Sequence, residues 1–310
     1  MLRKSGLPVA FLLVLTAWVA EARLHPALAA AAATPAAEGP QTGKLEQVIP
    51  GHYIYSTGAR ISGVIATSEG VVVLDSLSNE AMAKHERQLI QSTIRQPVRY
   101  LISSTFHGNY ANGNVAYPEV VKIGHENYKV DLIDQMKMDN MPAAQQAAML
   151  PHLTFRDRMT ITLGGKEIQI LYIGRGHTRG DAIVFVPQDR IVYLSELFFD
   201  GRFPFMNDGY VDWINTLDIA LKLDADVFVP GQGPTSIAAN PRASRDALVR
   251  ARQVLVDFRD NVQREIARGA TEDQAVAAVL LPQYRNMVGY EQQRPVLVRR
   301  MYQGLKGTLP

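Results

Sequence analysis

The sequence predicts an α/β fold, on three observations. Short apolar runs of strand character recur between about residues 48 and 229. Segments with helical spacing fall between and after them, and glycine-containing turns pair several of the runs into hairpins.

Residues 48–55 and 60–67 read as strands. A turn at Glu69-Gly70 leads into Val71-Val72-Val73-Leu74-Asp75-Ser76, whose unbroken apolar run marks a strand buried on both faces. Over residues 79–95, Ala81, His85, Leu89, Ile90 and Ile94 lie near helical spacing, and Pro97 stops the helix. The strand expected over 98–102 runs into Ser103-Ser104-Thr105-Phe106-His107-Gly108-Asn109-Tyr110-Ala111-Asn112-Gly113-Asn114. Small polar residues and glycines there surround a histidine, where backbone can turn sharply and approach a ligand. Residues 120–124 make a further strand, with a helix next over 126–136. The methionine- and alanine-rich stretch 136–150 reads as partly helical, and its Met136, Met138, Met141 and Met149 suit either an adaptable apolar lid or ordinary core. Two hairpins come after it, 160–163 with 167–173 around Gly164-Gly165, and 182–187 with 190–194 around Gln188-Asp189. A helix over 211–223, a strand over 227–229 and helical segments from Ser244 onward complete the pattern.

The organisation expected is a signal peptide over 1–29, a flexible leader over 30–45, one domain over 46–240 and a helical C-terminal extension over 241–310 packed on that domain. Arg3 and Lys4 precede a short apolar run, and small residues lie beyond it around Ala27-Leu28-Ala29, the layout of a secretory signal. The run is too short to span a bilayer comfortably, so export without stable membrane insertion is expected, to the periplasm or medium. Loss of 1–29 would remove Arg3, Lys4 and Arg23 but only Glu21, taking the formal charge from +2 to zero. With no basic block, nucleic acid is a poor partner and a small molecule the better one. The chain has no cysteine, so its fold rests on its core and any metal site must use nitrogen and oxygen ligands.

The Thr105-to-Asn114 loop resembles the signature loop of the metallo-β-lactamase superfamily, Thr-His-x-His-x-Asp-His followed by Gly-Gly-Asn. Gly63-Val64-Ile65 and Gly70-Val71-Val72-Val73-Leu74-Asp75 are similar to the family's opening hairpin and strand, and Gly176-His177-Thr178-Arg179-Gly180-Asp181 to its Gly-His-Thr-x-Gly-Asp segment. Tyr193-Leu194-Ser195-Glu196-Leu197 and Val229-Pro230-Gly231-Gln232-Gly233-Pro234 lie where the family has a bridging Asp and a Pro-Gly-His-Gly. The resemblance implies an αββα four-layer sandwich of two mixed β-sheets with helices outside. It also implies a degenerate ligand set. His107, His177 and Glu196 remain to hold one divalent metal, zinc or alternatively iron. Thr105, Asn109, Tyr110 and Gln232 stand at the other ligand positions, so a dinuclear centre is not expected.

The expected roles derive from that set. Tyr110 and Asn109 are candidate catalytic groups, Tyr110 as general acid or oxyanion donor. Thr105, Gln232 and Arg202 are candidate substrate contacts, Arg202 for an anionic substrate. Asp75 and Asp181 are expected to support neighbouring loops. His52, His85, His125 and His152 show no ligand spacing. The function implied is a mononuclear hydrolase of an ester, amide or lactone by metal-activated water. The alternative is a metal-free pseudoenzyme that binds a small molecule, with His107 and His177 as loop organisers and Glu196 paired with an arginine such as Arg202.

Overall fold

A computed structural model of the chain describes residues 42–205 and 211–309. The expected signal peptide over 1–29 and most of the expected leader lie outside the described residues. Strands β1 (Lys44–Ile49), β2 (His52–Thr57), β3 (Arg60–Thr67) and β4 (Gly70–Leu74) form an antiparallel meander. The single strand expected over 48–55 is thus the turn of a hairpin, because Pro50-Gly51, with Gly51 at φ 79°, reverses the chain. Helix α1 (Glu80–Thr93) starts at Asn79, whose side chain accepts from the Met82 amide. It carries the chain to β5 (Val98–Ser103), parallel to β4.

The loop after β5 is a helical turn, α2 (Gly108–Ala111), continued by a 3₁₀ segment over Asn112–Ala116. Next come β6 (Val121–His125), α3 (Glu126–Met138), α4 (Ala143–Met149) and β7 (Leu153–Phe155). Met136 and Met149 are buried with Ala111, Tyr128 and Leu132, so this part of the methionine-rich stretch is core. The second half runs β8 (Arg158–Leu163), β9 (Lys166–Leu171), β10 (Ile183–Val186), β11 (Ile191–Phe199), α5 (Trp213–Ala220) and β12 (Val227–Gln232). Three helices close the chain, α6 (Ser244–Ala267), α7 (Glu272–Ala278) and α8 (Tyr290–Lys306).

The strands are ordered β7-β6-β5-β4-β3-β12-β11-β10-β9-β8, with β2 also on β3 and β1 on β2. The halves meet in one register pair, Gln232 with Arg60, so they are two mixed sheets hinged at a corner. Period-two alternation then sorts the side chains into layers. Val72, Leu74, Ile102 and Ile123 of the first sheet share one core with Ile168, Val184, Ile191 and Val229 of the second. The opposite face of the first sheet, Val71, Val73 and Leu101, packs on Ala83 and Ile90 of α1. Ile183, Val192 and Phe228 on the outer face of the second pack with Trp213, Leu255, Phe258 and Val298 from α5, α6 and α8. The fold is an αββα sandwich of two mixed sheets.

The buried face of α1 includes a carboxyl group. Glu86 lies in line with Met82, Ala83 and Ile90 and is fully buried. The hydroxyls of Ser62 and Tyr117 donate to its carboxylate, at 2.5 and 2.9 Å.

Candidate metal centre

Strand ends build the site. Just past β4 stands Asp75 (φ 67°), whose carboxylate accepts the Ser104 amide at 2.8 Å and the Ser195 hydroxyl at 2.6 Å. Asp75 thereby ties the end of β5, three residues before His107, to β11 just before Glu196. Burial raises its pKa to about 7, although the donors from Ser195 and Ser104 oppose the rise. Ser195 takes a left-handed φ of 47° and interrupts the β11–β12 register, a local kink that turns the Glu196 side chain.

Glu196 is where the site converges. Its Oε2 lies 2.7 Å from His107 Nδ1 and 3.1 Å from His177 Nε2. Its Oε1 accepts from Gln232 Nε2 at 3.1 Å, with Asn109 Nδ2 at 3.5 Å. Burial alone would raise the Glu196 pKa, but His177 and His107 outweigh it and hold the carboxyl well below its usual range. His177 is fully buried, walled by Phe199, Phe205 and Trp213 at ring distances of 5.5, 5.7 and 5.6 Å. Its loop is held by Asp181, which accepts from the Thr178 amide at 2.6 Å and the Thr178 hydroxyl at 2.5 Å.

The ligand atoms of His107, His177 and Glu196 all lie within 4.8 Å of one another. A metal with bonds of ~2.0–2.2 Å separates its tetrahedral ligands by roughly 3.3–3.6 Å, so this set needs only small adjustment to hold one ion. Two imidazoles and a carboxylate also have the donor chemistry of zinc and iron sites. The residues fit.

Their neighbours divide. Asn109, Gln232 and Arg202 line the same cavity of about 250 Å³ as His107, His177 and Glu196. Tyr110 and Thr105 are buried beneath it. The Tyr110 hydroxyl donates to Gly231 O at 2.7 Å, and burial raises its pKa well above the ordinary value. The acid role expected for Tyr110 gives way to a positioning role, because its proton is committed to the backbone behind Glu196. Thr105 Oγ1 is buried with no hydrogen-bond partner among the described residues, away from the lining. Arg202 makes no pair with Glu196. Sequence reasoning missed Val288, Gly289 and Gln293, which line the cavity from the C-terminal helical region. No local motif marks them. It also left out Asn114 as a strut: its side chain accepts from Ser76 at 2.8 Å and donates to Met149 O at 2.9 Å beneath the His107 turn.

A model of the metallo-beta-lactamase superfamily matches residues 57–232. The chain belongs to that superfamily. It is 26% identical over 187 residues to a type 2 metallo-beta-lactamase of Elizabethkingia meningoseptica, covering 56% of this chain and 71% of that one. To a linear primary-alkylsulfatase of a Pseudomonas species it is 22% identical over 299 residues, 79% of this chain and 55% of that one. A solved sec-alkylsulfatase, Pisa1 of Pseudomonas sp., superposes with a TM-score of 0.65 at 16% identity, covering 84% of this chain and 50% of its own. The chain thus spans about half the length of the alkylsulfatases it matches, and the likeness to the solved one is one of fold. These superfamily relatives are hydrolases of small molecules. No helix among the described residues is long and apolar enough to cross a membrane.

In this superfamily member, Gly231 packs directly against the backbone that carries Glu196. A Cβ there would lie 2.3 Å from Ser195 C and 2.8 Å from Glu196 N. Gly231→Ala should therefore push Glu196 off the histidines and destabilise the fold by about 1–3 kcal/mol, measured by denaturant unfolding.

Proposed function

We propose that the chain is an exported, mononuclear metallohydrolase that cleaves an ester, amide or lactone of a small molecule. The observation that carries this reading is the convergence of His107 and His177, from two separate loops, onto a single carboxylate oxygen of Glu196 in β11. A divalent metal held by these three, zinc by donor set with iron the alternative, supplies Lewis acidity for a water nucleophile and for the acyl oxygen. Glu196 also accepts from Gln232, which fixes the orientation of its carboxylate. Asn109 and Gln232 present amide N–H groups along the cavity, the donors suited to a developing oxyanion. Phe199 and Phe205 keep water from the buried side of His177. The short apolar segment after Arg3 and Lys4 supports export.

A second reading rests on the same contacts. Glu196 Oε2 is hydrogen-bonded to His107 and lies within ion-pair distance of His177, a cluster that stands without a metal, and Asn109, Tyr110 and Gln232 are weak metal ligands. A metal-free binding protein would keep that cluster as it stands. Turnover of a panel of chromogenic acyl esters, anilides and lactones separates the two readings. Hydrolysis lost on dialysis against chelator and restored by zinc is expected; turnover indifferent to chelator overturns the metal-dependent reading, and none with any substrate overturns the enzyme.

A further inference from the structure

We propose that the cavity selects an anionic substrate, with Arg202 binding its oxyanion group and Arg60 adding positive charge from the sheet junction. This names the substrate class of the proposed hydrolase and rests on that reading for the chemistry after binding, while anion capture itself needs no turnover.

Arg202 leaves the chain three residues after β11 on a braced support. Its backbone bridges to Val288, Phe203 N donates to Val288 O at 3.0 Å, and the Phe203 ring packs at 5.3 Å on both Phe258 and Tyr290. The C-terminal region therefore supplies one wall of the cavity and holds the backbone from which this guanidinium projects. Arg60 stands opposite Gln232 in the one pair that joins the sheets, and Gln232 lines the same cavity.

The two guanidinia are half-buried, and among the described residues neither has a carboxylate or hydrogen-bond partner. Several other partly buried arginines are paired, Arg190 with Asp226, Arg252 with Asp218 and Arg299 with Asp273. Burial, and then the like charge of Arg60, lower the Arg202 pKa; among the described residues Tyr110 opposes them and no carboxylate does. Two like charges partly withdrawn from water, with no counterion among the described residues, are unfavourable, and an entering oxyanion relieves both. The other walls are the rings of Phe199, Phe203 and Phe205. A volume of about 250 Å³ suits a one-ring or short-chain molecule. The ligand chemistry is a small anion with an apolar body, its oxyanion a carboxylate or a sulfo group.

Calorimetric titration of the full chain with phenylacetate, phenylmethanesulfonate and benzyl alcohol tests this, with metal loaded and after chelation. At least one anion should bind about tenfold or more tightly than the alcohol, and the tighter of the two identifies the oxyanion. Arg202→Gln should cost that anion about tenfold or more and leave the alcohol unchanged, by the usual strength of a charge-assisted hydrogen bond. Arg202→Lys should fall between, and Arg60→Gln should cost about two- to threefold, less at high salt. Equal affinity for alcohol and anions, or undiminished anion binding in a folded Arg202→Gln, overturns the proposal. Should Arg202→Gln fail to fold, unchanged affinity in both Arg202→Lys and Arg60→Gln overturns it instead. Anion binding that survives chelation in a protein without turnover would sink the hydrolase reading and leave this one standing; turnover without charge preference would do the reverse.

Discussion

Glu196→Gln is expected to abolish metal retention and to lower kcat/KM by at least about a hundredfold. Even groups one step removed from a metal change its affinity by ~10–100-fold, and Glu196 is the only carboxylate among the three converging side chains. Its Oε2 faces both imidazoles at once, so the amide that replaces it offers a weaker neutral oxygen or a nitrogen that cannot ligate. Glu196→Asp tests the geometry separately. Shortening the side chain by one methylene, roughly 1.5 Å, cannot preserve both imidazole contacts without moving the backbone. Behind that backbone Gly231 already packs against Ser195. An intermediate loss is expected, read as metal content and kcat/KM together. Full activity in Glu196→Gln would show that the carboxylate is not a ligand.

The second large effect lies away from the site, at Glu86. Burial raises its pKa from 4.5 to about 8; the Ser62 and Tyr117 hydroxyls oppose the rise, and Asp75 adds to it. The folded chain therefore binds a proton at Glu86 that the unfolded chain has released over the window between those values. Its contribution to stability is fully present below pH 4.5 and is lost as pH rises through about 8. Each pH unit in that window costs about 1.4 kcal/mol, a few kcal/mol in all. Glu86→Gln keeps the shape, and its amide can hydrogen-bond both hydroxyls, but it does not titrate. The substitution should thus raise Tm at pH 8 relative to wild type by more than it does at pH 5. An equal change in Tm at both pH values would mean that Glu86 is ionised in the fold throughout.

These two residues also mark how far the sequence could be read. The convergence of Glu196 with His107 and His177 was legible because each sits in a short segment matched in order to the superfamily's motifs. The sandwich was legible for the same reason, together with strands such as 71–74 that are apolar on both faces. Glu86 was not, since a glutamate at helical spacing normally faces water, and only Ser62 and Tyr117, from a strand and a distant turn, make its burial tolerable. Tyr110 was placed in the right segment and given the wrong direction. That segment is helical, so consecutive side chains diverge by about 100°, sending Asn109 to the cavity and Tyr110 to Gly231. The wall from Val288 to Gln293 depends on how distant helices pack, which no local pattern encodes. Pro50-Gly51 was a turn signal inside what looked like one strand.

Metal content per chain is the most direct measurement, by elemental analysis of protein purified without added zinc, for wild type and His177→Ala. The account predicts close to one equivalent of zinc or iron in the wild type and well under a tenth in the variant. Two equivalents would contradict the mononuclear centre. Less than a tenth in both proteins would contradict the centre altogether, and leave His107, His177 and Glu196 as a polar cluster in a binding protein.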